Sequence, residues 1–341
     1  MFVIPKGRRF CCNTFGQVEG APSGHPPVSL NGNNLLAMFE PPFNLDDWWA
    51  TQLGTLSFDR LRISNFAIIA LTDKSDPQPV REATRAGLYG LLLYGIPSYN
   101  ALHGLEIQGD SDHLPLRVSV APTPYFVRHV WDSVLRLEDP VIESAGKVAR
   151  SIEWITSVSQ ERDNAHFKRL VRGLVSWGNG IQSVHGGTRL HAFVRSIETF
   201  INSDVGRGKR QFVDRCAKLA NASGLGDVLA ELYDLRSQEE HLNDWEKAVG
   251  GRDTETRVNR GTLRVYQAEL LASSIFLRVF LNPALMQLFR DDGSVQEFWS
   301  SSYAQSFWGE PIDLDLLVRT RMRPIQLEQL KSSRIINEAG S

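Results

Sequence analysis

Residues 141–155, Val141-Ile142-Glu143-Ser144-Ala145-Gly146-Lys147-Val148-Ala149-Arg150-Ser151-Ile152-Glu153-Trp154-Ile155, decide the class of fold. Val141, Ala145, Val148, Ile152 and Ile155 recur at alternating spacings of four and three, the repeat of one apolar face on an α-helix. The same period continues downstream. Phe167, Leu170, Leu174 and Ile181 form a second stripe, and Gly186-Gly187 reads as a break. Leu190, Phe193, Val194, Ile197, Phe200 and Ile201 form a third, and Phe212, Cys216 and Leu219 a shorter fourth. Val228, Leu232, Leu235 and Leu242 define a further helix, closed by Gly250-Gly251. A strongly apolar helix then runs from Leu263 to Leu281, where Asn282-Pro283 stops it. Ser294 and Glu297 stand three apart, as in a capping box. A bundle of four to six helices is therefore expected between about 140 and 300.

Upstream the pattern is different. Residues 1–33 are rich in Gly, Pro, Asn and Ser and are expected to be largely irregular. LRISNFAIIALTD (61–73) holds a strand-like apolar run, and PVREATRAGLYGLLLYGI (79–96) reads as a helix. GLEIQGDSDHLPLRVSVAP (104–122) reads as two strands around a turn at Gly109-Asp110-Ser111-Asp112. Trp48 and Trp49 are expected in the core rather than on a recognition surface. The fold class is thus α+β: a mixed α/β domain over 1–125, a mainly α-helical domain over 126–310, and a polar C-terminal tail over 311–341 with one weak helical stretch.

The 341 residues are 42% hydrophobic and 22% charged, a globular composition that argues against wholesale disorder. A chain of this length buries a core without disulfides or metals. Cys11, Cys12 and Cys216 cannot pair fully and read as reduced thiols. No signal-peptide pattern is seen, and the apolar runs 87–96 and 273–281 fall well short of the ~20 residues of a membrane span. A cytoplasmic protein without membrane contact is expected. The net charge of −2 carries no global nucleic-acid signal. Arg, however, supplies most of the basic residues, and its planar fork suits phosphate.

The segment that bears chemistry is Glu231-Leu232-Tyr233-Asp234-Leu235-Arg236-Ser237-Gln238-Glu239-Glu240-His241-Leu242. One Arg and one His at a fixed offset are weak evidence, and a solvated helix face would contain them too. The context adds weight. Polar residues fill 236–241 where the stripe calls for an apolar residue at 239, and polar groups on a buried stripe cost free energy unless paired or functional.

The stretch from about 188 to 247 resembles HEPN proteins, particularly the larger abortive-infection-like members. Their signature is Arg, a polar residue, a few variable residues and His, on a helix after a leucine-rich approach. Asp234-Leu235-Arg236-Ser237-Gln238-Glu239-Glu240-His241 fits that form, with Ser237 standing where Asn is commoner. Residues 189–198 resemble the family's upstream helix with its acidic residue, here Glu198, and 209–216 resemble the linking segment. The resemblance covers roughly a hundred residues and does not reach 1–130. It implies metal-independent RNA cleavage without a cofactor. The 2′-hydroxyl would be the nucleophile, and a 2′,3′-cyclic phosphate and a 5′-hydroxyl the products. Arg236 would hold phosphate and His241 would move the proton.

Glu198 is a candidate to orient Arg236 or His241, and Ser237 a candidate hydrogen-bond donor to phosphate. Two basic clusters, Lys168, Arg169 and Arg172 on one helix and Arg207, Lys209 and Arg210 on a loop, are candidates to track an RNA backbone. His185 and His191 lack the Cys or carboxylate neighbours that a metal site needs. A five-residue offset turns Arg236 and His241 about 140° apart on an ideal helix. A homodimer with a composite site is therefore expected, as the resemblance also implies. Two other readings compete. One is a non-catalytic module that binds RNA, a nucleotide or a protein. The other is a structural or sensor protein whose N-terminal half is the working part and whose helical half is a dimerisation scaffold; a regulatory partner protein is a further candidate partner.

Overall fold

The computed structural model describes residues 4–16, 18, 24–32, 34–73, 78–96, 104–110, 117–122, 139–161, 166–204, 206–241, 248–251, 253–301, 309–322 and 324–332. The chain forms an antiparallel sheet with helices, followed by a mainly helical part, so the class is α+β. It divides into two compact units: Met1–His129 with Val134–Trp154, and Val130–Ser133 with Ile155–Ser341. The division falls inside a helix, about thirty residues beyond the expected boundary at 125/126.

In the first unit the strands are β1 (Arg9–Gly16), β2 (Val28–Asn31), β3 (Leu35–Met38), β4 (Ser64–Thr72), β5 (Leu105–Asp110) and β6 (Arg117–Pro122), and their order is β2-β3-β4-β1-β5-β6. Every neighbouring pair is antiparallel. Residues 1–33 are therefore not largely irregular, because β1 lies inside the sheet between β4 and β5. Its sequence, RFCCNTFG, is buried on both faces and so lacks the polar alternation that marks a half-exposed strand. Two of the four residues expected in the turn are in a strand instead. Gly109 and Asp110 pair with Val118 and Arg117 as strand residues, and residues 111–116 lie outside the described residues.

Two helices of this unit, α1 (Asp47–Arg62) and α2 (Gln78–Leu93), pack on opposite faces. Trp49 and Leu61 of α1 join Phe10, Cys12, Leu36, Ala67 and Ile69 in one core. Trp48 meets the Trp49 ring edge-on at 5.0 Å, so this pair serves packing. On the other face the Thr84 hydroxyl of α2 donates to the Cys11 carbonyl at 3.1 Å. Burial pushes the Cys11 thiol up to about 12 and the Cys12 thiol well above its ordinary value, which keeps both in the unreactive protonated form. A third helix, α3 (Asp139–Gln160), lies on α2, with Gly90 facing the Ala145 carbonyl. Its buried stripe is Ile142, Ala145, Val148, Ile152 and Ile155, so Ile142 rather than Val141 heads it.

The second unit contains α4 (Lys168–Gln182), α5 (Gly186–Glu198), α6 (Gly208–Ala220), α7 (Gly226–Glu240), α8 (Thr254–Phe280), α9 (Pro283–Gln287), α10 (Asp292–Ser300), α11 (Leu314–Arg321) and α12 (Pro324–Ser332). Gly186 and Gly187 open α5 instead of breaking the chain, and the break is 183–185. Helix α10 is capped by Asp291, which accepts from the Ser294 N–H at 2.8 Å, so the expected box at Ser294 and Glu297 is inside the helix. The tail is also more ordered than its polarity suggests. Helices α11 and α12 pack on α8 and bury Leu314, Val318 and Leu330. No helix among the described residues is long and apolar enough to cross a membrane.

Helix α8 carries the centre of this unit. Its Glu269 is fully buried and accepts from Arg189 of α5 at 2.8 Å. Truncating one member of a buried ion pair strands the other charge and costs about 3–5 kcal/mol. Glu269→Ala is therefore expected to lower the free energy of unfolding by that amount, read from urea denaturation. Glu269→Leu combined with Arg189→Met is expected to recover most of the loss, because neither charge is then left behind. An additive double variant would show that the two side chains do not depend on each other.

Candidate functional site

Helix α7 is amphipathic up to its last turn. Leu229, Leu232 and Leu235 are buried, and Arg236 is buried beside them, on the side where a stripe would continue with an apolar residue. Val228 is only half-buried, and Leu242 lies outside the described residues. Arg236 sits here because its charge is met on both sides. Nη2 donates to Glu198 Oε2 of α5 at 3.0 Å, and Nη1 lies 2.6 Å from Glu240 Oε2 one turn on. The guanidinium also lies 5.6 Å from the centre of the Tyr233 ring. Its Nε is buried with no acceptor among the described residues. Glu198, the candidate to orient Arg236 or His241, is thus in contact with Arg236.

His241 is the C-cap of α7, with φ −90° and ψ 12°, and it is exposed. Its N–H donates to the Ser237 carbonyl at 3.1 Å, which ends the helix. Arg236 and His241 are therefore held differently: one is clamped against α5, the other stands at the helix end. No hydrogen bond joins them among the described residues. Ser237 is half-buried between them.

Glu198 Oε2 also accepts from Arg195 at 2.9 Å. Arg195 and Glu198 line a cavity of about 720 Å³ together with Lys168, Arg169 and Arg172 of α4 and Arg290 at the approach to α10. The first expected basic cluster and the expected acidic partner thus line one cavity. Close packing of α4 on α5 makes this possible. A Cβ on Gly173 would lie 2.2 Å from Thr199 Oγ1, and one on Gly180 would lie 2.6 Å from the Phe193 ring. The second basic cluster lies elsewhere, with Arg207, Lys209 and Arg210 lining a separate hollow of about 510 Å³. Lys209 is committed to Asp234 of α7 at 2.6 Å, and Arg210 lies 3.7 Å from Asp214.

His191 is the residue that the sequence undervalued. It stands one turn before Arg195 and two before Glu198 on α5, so the three share a face. The Thr188 hydroxyl donates to Glu239 at 3.1 Å, which brings this end of α5 to the end of α7. Burial lowers the His191 pKa below 6.5. Arg236 and Arg195 lower it further, while Glu240 and Glu198 oppose them. Its Nε2 is buried without a partner among the described residues. The signal in the sequence was its i, i+4, i+7 relation to Arg195 and Glu198; the link to α7 is tertiary.

A lowered folded-state pKa means that the unfolded chain binds the His191 proton more readily. Stability is then complete above 6.5 and falls as pH drops toward the folded value. His191→Gln is expected to flatten the decline in urea midpoint below that pH. An unchanged slope would show that His191 is not the group responsible.

Comparison with family models, with curated proteins and with solved structures finds no match to this chain. The reading of the site rests on its own geometry and on the sequence resemblance. Among the described residues no three His, Cys, Asp or Glu side chains gather as metal ligands would.

Proposed function

We propose that the helical unit is a HEPN-type endoribonuclease that cleaves RNA through its own 2′-hydroxyl, without a metal. The supporting observation is the Glu198 carboxylate, which joins Arg236 of the motif to Arg195 and the basic cavity. In this reading Glu198 fixes the guanidinium, and Glu240, whose side chain is 40% exposed, is the partner that yields. A phosphate oxygen replaces Glu240 on Nη1, and the Arg fork then neutralises charge that develops on the phosphorane. His241, exposed at the end of the helix, carries the proton. Lys168, Arg169 and Arg172 hold the strand that leads to the site. A two-fold dimer supplies His241 of one copy to Arg236 of the other, in the cytoplasm, in antiviral defence or as a regulated toxin.

A second reading has a specific observation in its favour. Arg236 already has two carboxylate partners, so a module that binds RNA or a nucleotide without turnover needs no change at Glu240. The deciding experiment incubates purified protein with total RNA and with tRNA, in chelator, and analyses the fragment ends. Cyclic 2′,3′-phosphate ends that vanish in the His241→Ala protein support cleavage. Tight binding with intact RNA overturns it and leaves the binding module.

A further inference from the structure

The cavity between α4, α5 and the start of α10 has a charge pattern that the cleavage chemistry does not use. Eight of its lining residues are charged, and six of them pair off within its walls. Arg195 meets Glu198 at 2.9 Å, Arg169 meets Asp292 at 2.6 Å, and Arg290 meets Asp291 at 3.1 Å. Lys168 and Arg172 are the two left over, with no ion-pair partner among the described residues. They stand at i and i+4 on α4, both exposed, one turn apart on the same face. Like charges at that spacing repel each other, and an anion bound between them removes the repulsion. Two unmatched positive charges equal the charge of a phosphate monoester, which carries about −1.5 to −2 at neutral pH. A phosphodiester within a chain carries only one charge. Asp291 and Asp292 also line the cavity, which favours the end of a strand there over a strand that runs on through it. A volume of about 720 Å³ is that of a small-ligand site and holds a nucleoside beside its phosphate.

We propose that this cavity binds a terminal nucleotide phosphate monoester, with Lys168 as point charge and Arg172 as planar fork. The monoester belongs either to a free mononucleotide or to the 5′ end of an RNA. The RNA source rests on the function proposed above; the phosphate site does not. If the source is RNA, the cavity sets where cleavage falls by anchoring the 5′ end.

The test is calorimetric titration of the full chain with AMP, and with a short oligoribonucleotide bearing or lacking a 5′-phosphate. AMP or the phosphorylated oligonucleotide is expected to bind at least about tenfold more tightly than the unphosphorylated one, as the loss of a charge-assisted pair implies. K168A/R172A is expected to remove that preference. R207A/R210A deletes the same charge in the other hollow and is expected to leave it intact. Binding of both phosphorylated probes indicates the free nucleotide as sufficient, and binding of the oligonucleotide alone indicates an RNA end. Lack of binding by every phosphorylated probe, or equal loss in the two double variants, overturns the proposal. Both variants change exposed side chains, and matching circular dichroism confirms that they are folded. Phosphate binding without RNA cleavage would remove the nuclease reading alone, and cleavage by a protein that binds neither AMP nor the phosphorylated oligonucleotide preferentially would remove this one alone.

Discussion

His241→Ala is expected to reduce RNA cleavage by at least about 100-fold, the lower range for loss of a general acid or base, with no change in the urea midpoint. The second half of that expectation follows from the fold. His241 is exposed, its side chain makes no hydrogen bond among the described residues, and its capping bond uses the backbone N–H, which Ala keeps. Arg236→Ala is expected to lose activity too, but for mixed reasons. Its side chain is 9% exposed and holds two carboxylates, so truncation leaves Glu198 with less countercharge and costs about 3 kcal/mol. Arg236→Lys separates the two effects. It keeps a charge beside Glu198 and much of the stability, and it loses the fork that grips phosphate. Glu240→Gln is the complementary change. It frees Nη1 and is expected to tighten RNA binding while Glu198 still holds Nη2. Mixing the inactive His241→Ala and Arg236→Lys proteins is expected to restore cleavage if the site is shared across a dimer, because one of its two sites then has both native groups. Parent-level cutting by His241→Ala would end the catalytic assignment.

The sequence spoke unevenly about this site. The Arg236–Glu198 link was legible in part, because the resemblance put Glu198 forward as a partner for Arg236 or His241 without choosing between them. The gathering of Lys168, Arg169 and Arg172 around the cavity that Glu198 lines was not legible, because it depends on how closely α4 approaches α5. That approach is set by Gly173 and Gly180, whose missing side chains leave no periodic trace. His191 shows the same gap between local and tertiary information. Its face is readable from spacing, but its environment comes from a helix forty residues on. The cluster at Arg207, Lys209 and Arg210 looked equal to the first on charge alone. In three dimensions Lys209 is neutralised by Asp234, and no sequence rule assigns that partner.

The fold was readable where one face is buried and the other wet. Helices α4 to α6 have that pattern, and their stripes match the buried residues closely. Strand β1 has no wet face, and its Cys, Asn and Thr residues resemble loop composition, so it passed for irregular chain. The C-terminal tail failed for the opposite reason. Among its described residues Ile312, Leu314, Val318, Met322 and Leu330 are buried, too sparse a set to stand out from the charged residues around them.

Gly146→Ala is expected to destabilise the first unit by about 3 kcal/mol or more, the upper range for overpacking. Helix propensity alone predicts the opposite sign. Gly146 lies inside α3, and Ala in a helix interior is favoured over Gly by about 1 kcal/mol. The deciding distance is across the helix face. A Cβ at 146 would lie 2.1 Å from the Leu30 carbonyl oxygen of β2, and that carbonyl is backbone, so no rotamer relieves the clash. The same oxygen accepts from Arg150 Nη1 at 3.1 Å, so displacing β2 also strains a hydrogen bond that ties the strand to α3. Gly90→Ala should behave alike, with 2.5 Å to the Ala145 carbonyl. Gly87→Ala is the internal contrast. Its nearest neighbour is a Leu35 methyl at 3.1 Å, which can turn away, so the propensity gain offsets most of the cost. Urea unfolding of the three variants, followed through the first unit's tryptophans, should rank Gly146 and Gly90 far below Gly87. If Gly146→Ala raises the midpoint instead, α3 does not lie on β2, and its grouping with the sheet fails.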